Sequence, residues 1–98
     1  MRHETSTWMD RAQVFEAAKK FFGQEGGGLG MKIGAQQGSQ LEFFGGGLVW
    51  ITVWPRKSDD NETRVDLDVS DRDEDARRFI SAVLHSPAPR KDEPDVKV

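Results

Sequence analysis

Apolar residues recur at helical spacing in two stretches of the chain and at every second position in four others, and glycine-rich or polar runs separate them. Trp8, Ala12, Phe15, Ala18 and Phe22 mark one side of a helix that stops at Gly23, with Val14 and Phe21 widening the stripe. Thr7 is placed to cap its start, with Asp10 three positions on. Beyond Gly26-Gly27-Gly28 the period drops to two. Leu29, Met31, Ile33 and Ala35 alternate with Gly30, Lys32, Gly34 and Gln36, which predicts a strand with one buried side. Gln37-Gly38 turns the chain into a second strand, Ser39 to Phe44, with Leu41 and Phe43 inward. Gly45-Gly46-Gly47 turns it again into the third, Leu48 to Trp54, which Pro55 ends. The polar loop from Lys57 to Asn61 leads to a fourth, Thr63 to Ser70, where Val65, Leu67 and Val69 alternate with Arg64, Asp66 and Asp68. Asp71 and Glu74 stand at capping-box spacing, and Asp73 and Asp75 suit the positive end of a helix. Ala76, Phe79, Ile80, Val83 and Leu84 then form the stripe of a second helix, ending near His85-Ser86-Pro87.

The pattern predicts an α+β fold: helix, four-stranded antiparallel meander, helix (αββββα), with both helices on one face of a curved sheet. The first and fourth strands are apolar on one side only, so a helix on each face would leave one of them without a counterpart. Residues 1–6 are expected to be a flexible N-terminus, residues 7–85 a single domain, and residues 86–98 a disordered tail. That tail holds three of the four prolines and shows no apolar period. Over residues 7–85 the element order resembles that of the helix-grip and TATA-binding-protein-like folds. The resemblance is one of topology, so it implies no ligand and no functional residue.

The turn at Gly45-Gly46-Gly47 decides which side of the third strand is buried. If those three residues are the loop, Phe44 pairs with Leu48 and Phe43 with Val49, and Val49, Ile51 and Val53 continue the inner face. Trp50 and Trp54 then point away from the helices. With Phe44, Leu48 and Thr52 they make an apolar ridge flanked by Lys32, Glu42, Arg64, Asp66 and Asp68. A loop of two or four residues reverses the parity and makes the tryptophans core. The β-branched Val-Ile-Val set matches the inner side of the fourth strand and favours the ridge. Phe44, Leu48, Trp50, Thr52 and Trp54 are therefore the expected interaction face. Gly30, Lys32 and Gly34 would line a groove beside it, unless the two glycines serve to bend the strand. Two uses are open: a homodimer, by stacked faces or a shared sheet edge, or capture of a peptide or small apolar ligand.

Composition removes other classes. Ninety-eight residues suit one domain, and no apolar run approaches the roughly 20 residues of a membrane helix, so no membrane partner is expected. The polar start, Met1 to Thr7, has no signal-peptide core, which points to a cytoplasmic protein. A net charge of −3 argues against nucleic acid, whose phosphates need clustered cations. Without cysteine there is no disulfide, thiolate nucleophile or sulfur-ligated metal. His3 and His85 are the sole imidazoles; sequence gives neither a partner, so no catalytic residue is assigned. Asp66-x-Asp68-x-Ser70 opens like a calcium loop, but Asp71 stands where glycine is required and Arg77 where glutamate is, so neither metal nor cofactor is expected. Gly26 to Gly30 follows a helix and opens a strand, the reverse of a dinucleotide loop. Asn61-Glu62-Thr63 matches a glycosylation acceptor without the export signal that would give it meaning. Seven acids between Glu62 and Asp75 face only Arg64 and Arg72, a surface for a basic partner or simply a solvated strand and helix start. The resulting expectation is a small non-catalytic protein-interaction or self-assembly module.

Overall fold

The computed structural model describes residues 1–23, 28–54 and 62–86. It contains β1 (Arg2–Thr7), α1 (Arg11–Phe22), β2 (Lys32–Gln37), β3 (Gln40–Phe44), β4 (Leu48–Val53), β5 (Thr63–Ser70) and α2 (Asp73–Phe79), whose last turns, Ile80–Leu84, widen into a π-helix. The strands form one antiparallel sheet in the order β1-β5-β4-β3-β2. The fold is α+β as expected, and the meander is β2 to β5. It has five strands rather than four, because residues 2–7 are not a flexible lead-in but pair with β5 from Arg2↔Asp68 to Thr7↔Thr63.

One face of the sheet carries the core. Leu41, Phe43, Val49, Ile51, Val53, Val65, Leu67 and Val69 point into it and are buried. Both helices lie on that face. Phe22 of α1 packs its ring against Phe43 of β3 and Phe79 of α2, with centroids 5.6 and 5.1 Å apart. Phe21 meets Phe79 at 5.3 Å. These separations are those of favourable edge and tilted aromatic pairs, so one cluster of rings joins sheet and helices.

Several local readings change. Asp10, not Thr7, caps α1: its carboxylate accepts from the Gln13 amide, and the Gln13 side chain accepts from the Asp10 amide in return. Thr7 ends β1, where its hydroxyl donates to the Leu84 carbonyl at 2.7 Å. The buried stripe of α1 is Val14, Phe15, Ala18 and Phe22, and Ala12, in the first turn, is exposed. No capping box forms at Asp71 and Glu74. Arg72 is the residue before α2, without a side-chain cap, and Asp71 turns the chain with a φ of 62°. The acids of that first turn still favour the helix dipole.

At the far edge, the β2 register shifts by one residue between Ile33 and Gln36, a bulge. Ile33 faces the helix side beside Phe43, yet neither helix covers it, and it is 47% exposed. Gly26, Gly27, the loop at residues 55–61 and residues 87–98 of the expected tail lie outside the described residues. Ser86, placed in the tail by its sequence, belongs to the fold: its carbonyl accepts from the Trp8 indole at 2.7 Å.

Candidate interaction face

The three-glycine turn sets the register that leaves the aromatic side outward. Gly45, Gly46 and Gly47 all have positive φ, at 135°, 65° and 144°. Side chains rarely adopt such values, so the run of three is a backbone requirement. Phe44 pairs with Leu48 and Phe43 with Val49 across it. Arg72 holds the turn in place, donating to the Gly45 carbonyl at 2.9 Å and to Asp75 at 3.0 Å.

Three rows of side chains then cross the outer face. Phe44 and Leu48 stand beside Ser70; Glu42 and Trp50 beside Asp68 and Arg2; Gln40 and Thr52 beside Asp66 and Glu4. Trp54 extends the ridge past the end of β4, where its amide donates to the Arg64 carbonyl at 2.9 Å. Phe44 is 44% exposed, Leu48 36% and Trp54 44%, while Trp50 and Thr52 are half-buried. All five residues of the expected face therefore lie on one surface, opposite the helices.

The groove residues come together less fully. Lys32 stands beside Phe44 on the outer side, and Gly30 precedes the strand with a φ of 79°. A Cβ at Gly34 would lie 2.6 Å from the Glu42 carboxylate and 3.2 Å from the Phe44 ring. The missing side chain lets those two lie across β2, so the space beside Gly34 is filled.

At the other end of the ridge the charges are interlocked. Asp66 accepts from Arg2 at 2.7 Å and from Arg64 at 3.3 Å, and both guanidiniums lie 3.6 Å from Glu4. The Arg64 guanidinium also sits over the Trp54 ring, 5.6 Å from its centre. Asp66 is only 5% exposed although it faces outward. Burial pushes its carboxyl up, and hydrogen bonds from Arg2, Arg64 and Trp54 outweigh that and hold it below the ordinary carboxylate value. The sign follows: with the folded value below the unfolded one, the stabilisation is present above about pH 4 and is lost as pH falls through the folded value. Asp66→Asn should therefore lower stability at neutral pH, and below about pH 4 the variant should lose less than the parent does. Urea midpoints measured across that range check it; parallel curves for the two proteins would contradict it. Glu42 and Asp68, on either side of Trp50, make no ion pair among the described residues.

A second polar cluster joins β1 to α2 on the helix side. His3 bonds to Asp73 at 2.8 Å, and Thr5 shares a hydrogen bond with His85 at 2.5 Å. The hydrogen bond from His3 keeps the Asp73 carboxyl below its usual range, although burial opposes it. Neither pairing was legible, since His3 and Asp73 are 70 residues apart and Thr5 and His85 are 80. Thr5 and His85 form a hydroxyl–imidazole pair, but no further described residue orients the imidazole, which a hydroxyl nucleophile needs. Among the described residues no three His, Cys, Asp or Glu side chains converge as metal ligands, and no helix is long and apolar enough to cross a membrane.

Compared with known proteins, the chain matches no family model, no curated sequence and no solved structure.

Proposed function

We propose that the protein is a non-catalytic interaction module that docks through the outer face of its sheet, with a second copy of itself as the partner. The observation that carries this reading is the ridge of Phe44, Leu48, Trp50 and Trp54 on the face opposite α1 and α2. Large apolar groups gathered on one exposed surface mark contact sites, and Trp is among the residues that contribute most there. Charge does not oppose a twofold stack: Arg2, Lys32 and Arg64 share the face with Glu4, Glu42, Asp66 and Asp68. Five strands about 4.8 Å apart, each about six residues long, give a footprint of roughly 24 by 20 Å. Two such footprints fall in the range of weak, concentration-dependent complexes.

Capture of a small apolar ligand is the second reading, resting on a recess of about 150 Å³ beside Trp50, Thr52 and Trp54. That volume is below the roughly 300 Å³ at which ligand pockets begin, so the homodimer is preferred. As a fold, we read α1, β2 to β5 and α2 as an arrangement resembling the helix-grip class, which transfers no function.

Sedimentation and tryptophan emission across a dilution series test the proposal. A dimer that dissociates on dilution, with a red shift of emission, is expected. In Phe44→Ser the dimer should be lost while the unfolding midpoint of the monomer stays close to the parent's, since 44% of Phe44 is already in water. A monomer at every concentration, or a dimer that Phe44→Ser leaves intact, would overturn it.

A further inference from the structure

On the opposite side of the sheet, a groove of about 420 Å³ runs between α1 and the β2 edge. Its construction begins where α1 ends. The carbonyls of Phe21, Phe22 and Gly23 accept from the amides of Leu29, Met31 and Gly30 at 2.9 to 3.0 Å, so the incoming chain satisfies the helix terminus and fixes β2 at a set offset from it. Because α1 stops short of the edge strand, Ile33 is left open beside buried Met31. Lys19 and Lys20 line the groove from the helix, and Lys32 from the strand. None of the three is in an ion pair among the described residues, and Glu16 is the one acid among the described residues that line the groove. In a chain of net charge −3 this is a local reversal of sign.

Among the described residues β2 has a neighbouring strand only on its β3 side, so its other edge leaves backbone donors and acceptors without a strand partner there. An edge strand beside a helix-walled apolar groove is the geometry in which an extended peptide adds to a sheet. Main-chain bonds then supply affinity, and alternate side chains supply selectivity. From these three observations we infer that the α1–β2 groove binds an extended acidic segment of a partner protein, added as a sixth strand against β2. Its aliphatic side chains rest on Ile33 on the helix side and its alternate carboxylates meet Lys32 on the outer side, with Lys19 and Lys20 adding positive charge along the helix wall of the groove. A second copy is a poor occupant. A twofold axis along β2 brings both lysine triads to the shared edge, and Lys32 and the bulge are devices that discourage like edges from pairing. The bulge also limits the contact to a short run centred on Lys32 to Gly34. This site is separate from the outer face and stands or falls independently of it.

The probe is a fluorescein-labelled hexapeptide alternating Glu and Val, followed by anisotropy and by amide shifts of the isotope-labelled protein. Binding is expected that weakens with salt, because the lysines are solvent-screened. The shifts should centre on Lys32, Ile33 and Gly34, with the Trp50 and Trp54 indoles undisturbed. The combined Lys19→Glu, Lys20→Glu and Lys32→Glu variant should bind at least about tenfold more weakly, and a peptide alternating Lys and Val should not bind. These are surface substitutions, and an unchanged far-ultraviolet spectrum verifies the fold of the variant. The inference is overturned if the acidic peptide does not bind or if charge reversal leaves its affinity unchanged. It is equally overturned if a peptide N-methylated on its β2-facing amides binds as well, or if the shifts fall on the indoles.

Discussion

Phe22→Ala is expected to destabilise the protein by about 3 to 5 kcal/mol, the range for emptying a phenyl-sized site in a core that relaxes only in part. Phe22 is fully buried, and its ring meets Phe21, Phe43 and Phe79 at 4.9, 5.6 and 5.1 Å. It thus touches the sheet and the second helix from the last turn of the first. Truncation opens a void where three elements meet, and none of them can move inward without leaving its other neighbours. Against a total stability of about 5 to 15 kcal/mol for a domain, this is about a fifth of the whole or more. Urea unfolding should show a lowered midpoint with the slope unchanged. Phe44→Ala is the control of equal chemistry on the outer face, where 44% of the residue is already in water, and should cost no more than about 1 kcal/mol. Equal losses for the two variants would mean that the phenyl cluster is not the centre of the core.

Removal of residues 1–7 should abolish cooperative unfolding. Its inner side chains are His3, Thr5 and Thr7, so by apolar burial alone β1 contributes little. Its effect comes through polar groups. The Thr7 hydroxyl donates to the buried Leu84 carbonyl at the widened end of α2, His3 meets Asp73 at that helix's other end, and Arg2 neutralises the buried Asp66. The α-amino group of Met1 donates to the Val69 carbonyl at 2.6 Å. Each buried polar group left without its partner costs about 1 to 3 kcal/mol, and several together approach the stability of the domain. Thr7→Val keeps the shape of the side chain and removes the hydroxyl alone; a loss of about 1 to 2 kcal/mol is expected from thermal unfolding followed by circular dichroism. A truncated chain that melts where the intact one does would show that β1 is an ornament of the fold.

The contrast between these two experiments explains what was readable. Leu41, Phe43, Val49, Ile51, Val53, Val65, Leu67 and Val69 alternate because the inner side of each strand faces the helices, so the meander follows from period, whereas the outward tryptophans depend on the length of the glycine turn, which period leaves open. Strand β1 has no such signature. Its inner residues are polar and are satisfied by groups some 70 to 80 positions away, a relation that no local window contains. Asp71 and Glu74 illustrate the opposite failure: their spacing fits a capping box, but Asp71 is used to turn the chain and Arg72 is drawn to the glycine turn. The lysine groove was hidden for a third reason. Lys19 and Lys20 read as an ordinary basic helix end, and only the exposure of Ile33 where α1 falls short of the edge gives them a shared space.

Gly45, Gly46 and Gly47 have a consequence for how this surface tolerates change. An added Cβ at Gly47 would come within 2.6 Å of the Ser70 carbonyl, and one at Gly46 within 3.0 Å of the Arg72 guanidinium, so the turn is closed to substitution by crowding as well as by backbone angle. Phe44, Leu48, Trp50 and Trp54 can each be exchanged for another side chain with the strand still in place, whereas the hinge that aims them cannot. The display is thus free to drift in chemistry while its orientation stays fixed, and that orientation is specified by three residues that have no side chain to display.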